Sequence, residues 1–253
     1  MTQSEPTPRK NWFDAGGSNY ARFRPEYPPA LASFLAGLAP DRALAVDVGC
    51  GNGQLTAQLA AHFDEVIGVD PSADQIANAK PASGASYLCA PAEKLPVPDG
   101  AASLVAAAQA AHWFDLPQFF TEARRIAAPG AVIALVSYGI LRLEPALHER
   151  FDQFYWKEIG PYWPPERKLV DTGYADIAFP FRERPAAEIA MEKHWTLDEL
   201  LGYISTWSAV RQAREAGKEH MLTAFAADLA AMWGDPGTRR LVAWPLNMRL
   251  GQL

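Results

Sequence analysis

Two hydrophobic patterns alternate along the chain as far as about residue 138. Short apolar runs are typical of buried strands, and apolar residues that recur every three or four positions are typical of helices. The short runs lie at residues 43–48, 66–70, 85–89, 103–107 and 131–137. The helical stretches lie at residues 55–63, from Ser72 onward and at 117–127. Strands that alternate with helices in this way predict an α/β fold, in which a mostly parallel sheet has helices on both faces.

The pattern changes after Gly139, where aromatic residues crowd together between prolines and glycines. We predict a further strand at residues 188–195, a helix that begins at Thr196, a longer helix at 218–233 and a last strand at 240–250. The apolar residues of the longer helix keep helical spacing, which indicates a stripe that faces a core rather than a partner.

No clean linker divides the sequence, and its length of 253 residues suits one elaborated domain. Residues 1–11 are polar and include two prolines, so we predict a disordered lead-in there. A single domain is predicted at 12–253. The aromatic-rich part at 139–195 is predicted to be an insertion that caps a substrate pocket.

The most informative stretch is a glycine-rich loop between the first predicted strand and the first predicted helix. Residues 46–53 read VDVGCGNG. Open parallel sheets bind ligands at such strand ends, and glycines let a ligand approach the main chain closely. Asp70 ends the second predicted strand, 21 positions after Gly49, where an acid can accept hydrogen bonds from ribose hydroxyls. The loop and Asp70 together predict a nucleoside site; the alternative is a tight turn with an acid on the surface nearby.

The spacing of the loop decides which nucleoside fits. The dinucleotide fingerprint G-x-G-x-x-G places its third glycine where this chain has Gln54, and the glycine comes one residue early, at Gly53. A phosphate-binding P-loop would need Lys followed by Ser or Thr after its last glycine, and Gln54-Leu55 supplies neither. The loop also begins with an acid, Asp47, which would repel a pyrophosphate but attracts a cation. The ammonium and sulfonium groups of S-adenosylmethionine match this sign, so a methyl donor is favoured over a nicotinamide dinucleotide.

The loop, together with the segment VIGVDPS at residues 66–72, closely resembles the class I S-adenosylmethionine-dependent methyltransferases. The resemblance implies a Rossmann-like fold with a seven-stranded, mostly parallel sheet, whose last strand pairs antiparallel at the sheet edge. It also implies S-adenosylmethionine as cofactor. Together with the charge of Asp47 and the place of Cys50 inside the loop, it predicts a cofactor site formed by Asp47, Gly49, Cys50, Gly51, Gly53, Asp70, Ala92, Glu93 and Gln109.

The family pattern gives these residues separate roles. The three glycines border the methionine and ribose portions, and Asp70 binds the ribose hydroxyls. Ala92 and Glu93 follow the third strand, where the family borders the adenine; since Pro91 stands where many relatives have an aspartate, the backbone of Ala92 is the expected contact. Glu93 has an alternative role as a solvated loop acid. The stretch at residues 108–115, which includes Gln109, faces the methyl-bearing end of the cofactor.

A narrower resemblance, to the trans-aconitate methyltransferase-like subgroup, covers the chain from about residue 12 to its end. It is carried by segments that include YARFRPEYP at 20–28, AHWFD at 111–115 and PYWPP at 161–165. Members of this subgroup act on unlike acceptors. The subgroup motifs thus carry little information about the substrate. The resemblance implies a small-molecule acceptor, and the name of the subgroup suggests a carboxylate.

Methyl transfer from a sulfonium is an in-line displacement, and alignment of the reacting groups can supply much of the rate. A carboxylate acceptor is already deprotonated, whereas a phenol, amine or carbon acid would need a general base, for which His112 is the candidate. Its alternative role is packing near the cofactor.

For the acceptor site we select aromatic rings and arginines. The aromatic rings could equally be core residues, and the arginines could pair with an acid, hold the cofactor carboxylate or be surface charge. These residues are Tyr20, Arg24, Trp113, Tyr162, Trp163 and Arg167.

The amino-acid composition excludes some classes of binding partner. The 29 acidic and 23 basic side chains give a net charge of −6, which disfavours nucleic acid as a partner. No stretch reaches the ~18 apolar residues that span a bilayer, and we expect neither a membrane partner nor a secretory signal. The histidines are scattered and the cysteines are only two, Cys50 and Cys89, so we expect no metal site and a cytoplasmic protein. We expect a monomer or homodimer, and two alternatives stay open: a nicotinamide-dependent oxidoreductase and a non-catalytic nucleoside-binding module.

Overall fold

The computed structural model describes residues 25–253. The predicted lead-in at 1–11 and the candidate residues Tyr20 and Arg24 lie outside the described residues.

The described chain forms two compact units. We call residues 25–148, 164–194 and 240–253 the sheet unit, and residues 149–163 and 195–239 the helical unit. The segment predicted as an insertion, 139–195, contributes residues to both units. The prediction of one domain stays a prediction.

One mixed sheet contains all strands of the described residues. They are β1 (Leu44–Val48), β2 (Glu65–Asp70), β3 (Ala85–Cys89), β4 (Ala102–Ala108), β5 (Ala127–Tyr138), β6 (Arg182–Arg184), β7 (Ala190–Trp195) and β8 (Arg240–Gln252). Their order is β3-β2-β1-β4-β5-β8-β6, and β7 also pairs with β8. Neighbouring strands among β1 to β5 are parallel, and β8 is antiparallel to both β5 and β6. The predicted α/β class with a mostly parallel sheet is confirmed.

The sheet differs from the prediction in two details. It is 8-stranded rather than seven-stranded, and β8 lies between β5 and β6 instead of at the edge. Both β6 and β7 pair with β8, which therefore does not form the edge. The additional strand is β6, whose sequence Arg-Glu-Arg is exposed at all three positions. A strand without buried side chains leaves no hydrophobic pattern, so only its backbone pairing with β8 identifies it.

The centre of the sheet brings three strand ends together. β1 is buried at every position, and Val46 pairs with Ile67 of β2 on one side and with Val105 of β4 on the other. Parallel strands that are covered on both faces carry continuous apolar runs, as these do. Because β1, β2 and β4 run in the same direction, the loops that follow them share one edge of the sheet.

Helices flank the strands in the predicted alternation. They are α1 (Pro29–Leu38), α2 (Gln54–Leu59), α3 (Ala73–Ala77), α4 (Leu116–Ile126), α5 (Pro145–Gln153), α6 (Arg167–Asp171), α7 (Leu197–Ser205), α8 (Ser208–Glu215) and α9 (Glu219–Trp233). Four helices, α1, α5, α6 and α8, have no counterpart among the predicted elements. In α1, Pro29 suits a first helical turn, and Leu31 and Leu35 are fully buried. Helix α2 ends at Leu59, earlier than the predicted stretch to residue 63.

Capping residues explain two helix starts. The Asp115 side chain accepts a hydrogen bond from the Gln118 amide at the start of α4. Thr196 and Glu199 form a reciprocal capping box at the start of α7, where the sequence predicts a helix beginning at Thr196.

Aromatic rings form the core of the helical unit. Phe154 stacks on Phe225 of α9 with ring centroids 3.7 Å apart, and Trp207 packs against Tyr155 and Tyr203. Phe225, Leu229 and Trp233 of α9 are buried, which agrees with the predicted core-facing stripe. Within residues 25–253, no helix is both long and apolar enough to cross a membrane.

Candidate functional site

The glycine loop folds back on the end of β2. The amides of Gly49 and Cys50 both donate to the carbonyl oxygen of Val69, at 2.7 and 3.1 Å. The Gly53 amide donates to the Cys50 carbonyl at 2.9 Å, which closes the turn just before α2. The predicted strand–loop–helix arrangement is therefore present.

Each glycine of the loop has a positive φ, but they serve different purposes. A Cβ atom at Gly49 would lie 2.4 Å from Cβ of Ala110, and one at Gly53 would lie 2.4 Å from Oη of Tyr87. A Cβ atom at Gly51 would meet nothing closer than a side-chain oxygen at 3.8 Å. Gly49 and Gly53 thus permit close packing within the protein, whereas Gly51 leaves the backbone open to a ligand.

Asp70 is held against this loop by two backbone amides. Its Oδ2 accepts from the amide of Gly51 at 2.9 Å, and its Oδ1 accepts from the amide of Ser72 at 2.8 Å. These hydrogen bonds fix the orientation of a partly exposed carboxylate beside the open backbone of Gly51. The loop and the acid lie together, as the sequence predicts.

Asp47 is a buried acid beneath the loop. It is 1% exposed, its Oδ2 accepts from the Thr56 hydroxyl at 2.6 Å, and its Oδ1 has no hydrogen-bond partner. Burial raises the pKa of Asp47 to about 6, with a small contribution from Asp70, while the Thr56 hydrogen bond opposes the shift. Burial and the same two acids raise the pKa of the Cys50 thiol, which therefore stays protonated. This concentration of negative charge favours a cationic ligand.

Ala92 and Glu93, the residues predicted to border the adenine, follow β3. Ala92 is buried, and Oε1 of Glu93 accepts from the backbone amide of Asp115 at 2.7 Å. Glu93 therefore joins the loop after β3 to the start of α4, a contact for which the sequence carries no signal. Neither this contact nor the burial tests a role in adenine binding.

Gln109 directly follows β4 and has a left-handed conformation with φ of 53°. Its amide donates to the Val136 carbonyl at 2.8 Å and its Nε2 to the Tyr138 carbonyl at 3.0 Å. Its Oε1 is buried and has no partner. Ala110, the residue after Gln109, packs against Gly49. Gln109 therefore lies at the same end of the sheet as the glycine loop.

His112 lies in a 3₁₀ turn, Ala111–Trp113, beyond this point. Its Nδ1 is 2.9 Å from the hydroxyl of Tyr174, and its ring packs on Trp113 with centroids 4.8 Å apart. Burial, and to a smaller extent the charge of Arg167, lower the pKa of His112 to about 3. The imidazole is therefore neutral at physiological pH and a weak base.

The predicted acceptor-binding residues divide between the two units. Trp113 and Arg167 belong to the sheet unit, where Arg167 Nε donates to Asp171 at 2.9 Å. Tyr162 and Trp163 belong to the helical unit, where the Trp163 ring packs against Trp207 with centroids 5.3 Å apart. Among the described residues, no group of three or more histidine, cysteine or acidic side chains could hold a metal ion.

Three features of this chain together define the class I methyltransferases. They are a sheet of order 3-2-1-4-5 with an antiparallel strand beyond, a glycine loop after β1 and an acid at the end of β2. Residues 46–135 match the family model for a methyltransferase domain. A Dictyostelium discoideum protein that carries a methyltransferase name is 36% identical over 231 residues, covering 88% of this chain and 87% of that protein.

A solved structure from Anaeromyxobacter dehalogenans, named as a type II methyltransferase, is also similar. It shares 42% identity at a TM-score of 0.86, with 91% of this chain and 98% of that chain covered. This chain belongs to the methyltransferase family, and it is an enzyme of methyl transfer. Family membership decides against the nicotinamide-dependent oxidoreductase and the non-catalytic module.

Proposed function

We propose that the enzyme transfers the methyl group of S-adenosylmethionine to a carboxylate of a small-molecule acceptor. The observation that carries this proposal is the environment of His112: the Tyr174 hydroxyl lies 2.9 Å from its Nδ1, and burial lowers its pKa to about 3, so that it is a poor general base. An acceptor that holds its proton at neutral pH would need such a base. A carboxylate needs none, which is also what the trans-aconitate-like motifs suggest.

The donor side of the site fits the cofactor. The backbone of Gly51 is open, and the Asp70 carboxylate is fixed beside it by two amides, ready to accept from ribose hydroxyls. Asp47 Oδ1 and Gln109 Oε1 are buried acceptors without partners at the ends of neighbouring strands β1 and β4. Negative and partly negative oxygens of this kind suit a ligand with ammonium and sulfonium groups.

The acceptor side contains the guanidinium of Arg167. Its charge is close enough to lower the pKa of His112, although its Nε pairs with Asp171 at 2.9 Å. A carboxylate acceptor would be attracted to this guanidinium, and an arginine can bind a carboxylate through two parallel hydrogen bonds.

The reaction with a carboxylate is balanced without a proton. An acceptor oxygen forms the new bond to the methyl carbon, and the carbon–sulfur bond breaks with its electron pair going to sulfur. The products are a methyl ester and S-adenosylhomocysteine. The protein's part is to align the oxygen with the methyl group and exclude water, and no residue has to remove a proton.

Transfer of labelled methyl tests the proposal. The enzyme is incubated with methyl-labelled S-adenosylmethionine and a panel of small carboxylic acids, phenols and amines. We expect label in a methyl ester, which alkaline hydrolysis converts to volatile methanol. Label in an alkali-stable product would contradict a carboxylate acceptor.

Arg167→Gln and Lys168→Gln form a matched pair for the acceptor side. Each removes one positive charge from α6, but only Arg167 influences His112. We expect Arg167→Gln to raise the KM for the acid about tenfold or more, as loss of a charged hydrogen bond does, and Lys168→Gln to leave it nearly unchanged. Equal effects would contradict a specific role for Arg167.

A further inference from the structure

A buried tyrosine hydroxyl lies within hydrogen-bond distance of one nitrogen of the His112 ring. Tyr174 is completely buried, and its Oη lies 2.9 Å from His112 Nδ1, although the residues are 62 positions apart. Tyr174 belongs to no sequence motif. Its approach to His112 depends entirely on the tertiary fold.

The backbone holds Tyr174 in an unusual conformation. Its φ of 66° is left-handed, which is costly for a residue with a side chain. The Tyr174 amide donates to the carbonyl of Leu169 at 2.7 Å, and its own carbonyl accepts from Arg249 Nη1 at 2.9 Å. Hydrogen bonds on both sides of the residue therefore keep the ring directed at His112.

The surroundings of the hydroxyl determine where its proton points. Burial raises the pKa of the Tyr174 hydroxyl and keeps it protonated. Among the described residues, Nδ1 of His112 is the one hydrogen-bond partner of this buried hydroxyl. A hydroxyl hydrogen that pointed elsewhere would be buried without an acceptor, so it points at Nδ1. A neutral imidazole carries one N–H, so a proton donated to Nδ1 leaves the ring hydrogen on Nε2.

The other ring nitrogen is available. Within the described part of the chain, His112 forms no hydrogen bond through Nε2. It is also not among the buried polar atoms that lack a partner, so it reaches the accessible surface. The Nε2–H group can therefore donate to a bound ligand.

We propose that Tyr174 is a positioning residue: its hydroxyl donates to Nδ1 of His112, fixes the Nε2–H tautomer and makes His112 a hydrogen-bond donor to the acceptor carboxylate. The identity of the acceptor rests on the proposed function, whereas the tautomer does not. In this role His112 holds one carboxylate oxygen while the other reacts, and no proton is transferred. The role is the opposite of that of a general base, for which an unprotonated Nε2 would be needed.

Nuclear magnetic resonance of the full chain labelled with ¹⁵N-histidine tests the tautomer without any ligand. The His112 signals are assigned by their loss in His112→Gln. We expect a protonated Nε2 and an unprotonated Nδ1 for His112 at pH 7. A protonated Nδ1 would overturn the proposal.

Tyr174→Phe removes the hydroxyl and keeps the ring. We expect its His112 to populate both tautomers, and kcat/KM for the carboxylate found in the labelling assay to fall about tenfold, the value of one hydrogen bond. Affinity for S-adenosylhomocysteine should not change. Tyr203→Phe, which alters a buried tyrosine of the helical unit, is the control and should leave the tautomer as in the wild type. An unchanged tautomer in Tyr174→Phe would contradict the inference.

Substitutions of His112 separate this inference from the proposed function. The amide nitrogen of Gln can take the place of Nε2, whereas that of Asn is closer to the place of Nδ1. We expect His112→Gln to retain more methyl transfer than His112→Asn, and the reverse order would contradict a donor role for Nε2–H. If the tautomer is as proposed but label enters a phenol or amine, the carboxylate proposal alone fails.

Discussion

Asp47 combines a buried carboxylate with an oxygen that has no partner. Its pKa of about 6 lies above the ordinary value of 3.8, because burial disfavours the charged form. The folded protein therefore binds this proton more tightly than the unfolded chain does, and the stability that Asp47 contributes is lost as the pH rises through about 4 to 6.

Comparison with Asp47→Asn isolates this contribution. From pH 4 to pH 7, we expect the free energy of unfolding of the wild type to fall by about 2 kcal/mol relative to that of the variant. Urea unfolding at several pH values measures the difference. Asp41→Asn should give the opposite sign, and mainly below pH 4, because hydrogen bonds from Ser103 and from the Ala43 amide lower the pKa of Asp41. A pH-independent difference between wild type and Asp47→Asn would contradict the buried charge.

His112 predicts the pH dependence of catalysis. A neutral imidazole with a pKa of about 3 does not change its charge between pH 5 and 8. We therefore expect kcat/KM with a carboxylate acceptor to show no limb from His112 in this range. A limb near pH 6.5 that disappears in His112→Gln would show that the histidine acts as a base.

The glycine loop is an element in which three similar residues should respond differently to the same substitution. Gly49→Ala and Gly53→Ala bring a methyl group within 2.4 Å of another residue, in addition to a left-handed φ. We expect each to destabilise the fold by about 3 kcal/mol or more, and Gly51→Ala by only about 1 kcal/mol, from backbone strain.

Ligand binding distinguishes Gly51→Ala further. Its methyl group would occupy the space beside the open backbone, so this variant should fold and yet bind S-adenosylhomocysteine about tenfold more weakly, because the ligand loses close backbone contact. Urea unfolding and calorimetric titration measure the two effects. A variant that binds as the wild type does would show that the ligand does not approach Gly51.

Sequence patterns predict seven of the eight described strands, but they miss helices α1, α5, α6 and α8, although each of these helices buries apolar residues. The continuous apolar runs of β1 and β4 and the cap at Thr196 are readable because burial and capping leave local signatures. Strand β6 is fully exposed and leaves none.

The same distinction applies to the site. Asp70 and the loop follow two neighbouring strands of one strand–loop–helix–strand unit, so their contact is predictable. The contact of His112 with Tyr174, and that of Glu93 with the Asp115 amide, join segments from different parts of the chain. No spacing rule gives such pairs.

At the scale of the whole molecule, neither unit is a continuous piece of chain. The described chain passes from one unit to the other after residues 148, 163, 194 and 239. Each unit is built from pieces of chain that are separated by pieces of the other unit, so neither can complete its core independently. We therefore expect one cooperative unfolding transition in calorimetry, in keeping with the predicted single domain. Two separate transitions would contradict that prediction.

The central claim is that the glycine loop and Asp70 together bind the adenosine of S-adenosylmethionine. Calorimetric titration with S-adenosylhomocysteine tests it most directly, in the wild type, in Asp70→Ala and in the control Asp74→Ala, which removes a nearby acid of α3 that does not contact the loop. The Asp74 side chain bonds to Asn78 and forms no hydrogen bond to the loop. We expect binding of one molecule per chain to the wild type, affinity at least tenfold weaker in Asp70→Ala and little change in Asp74→Ala. No binding to the wild type, or equal affinity for all three proteins, would contradict the account.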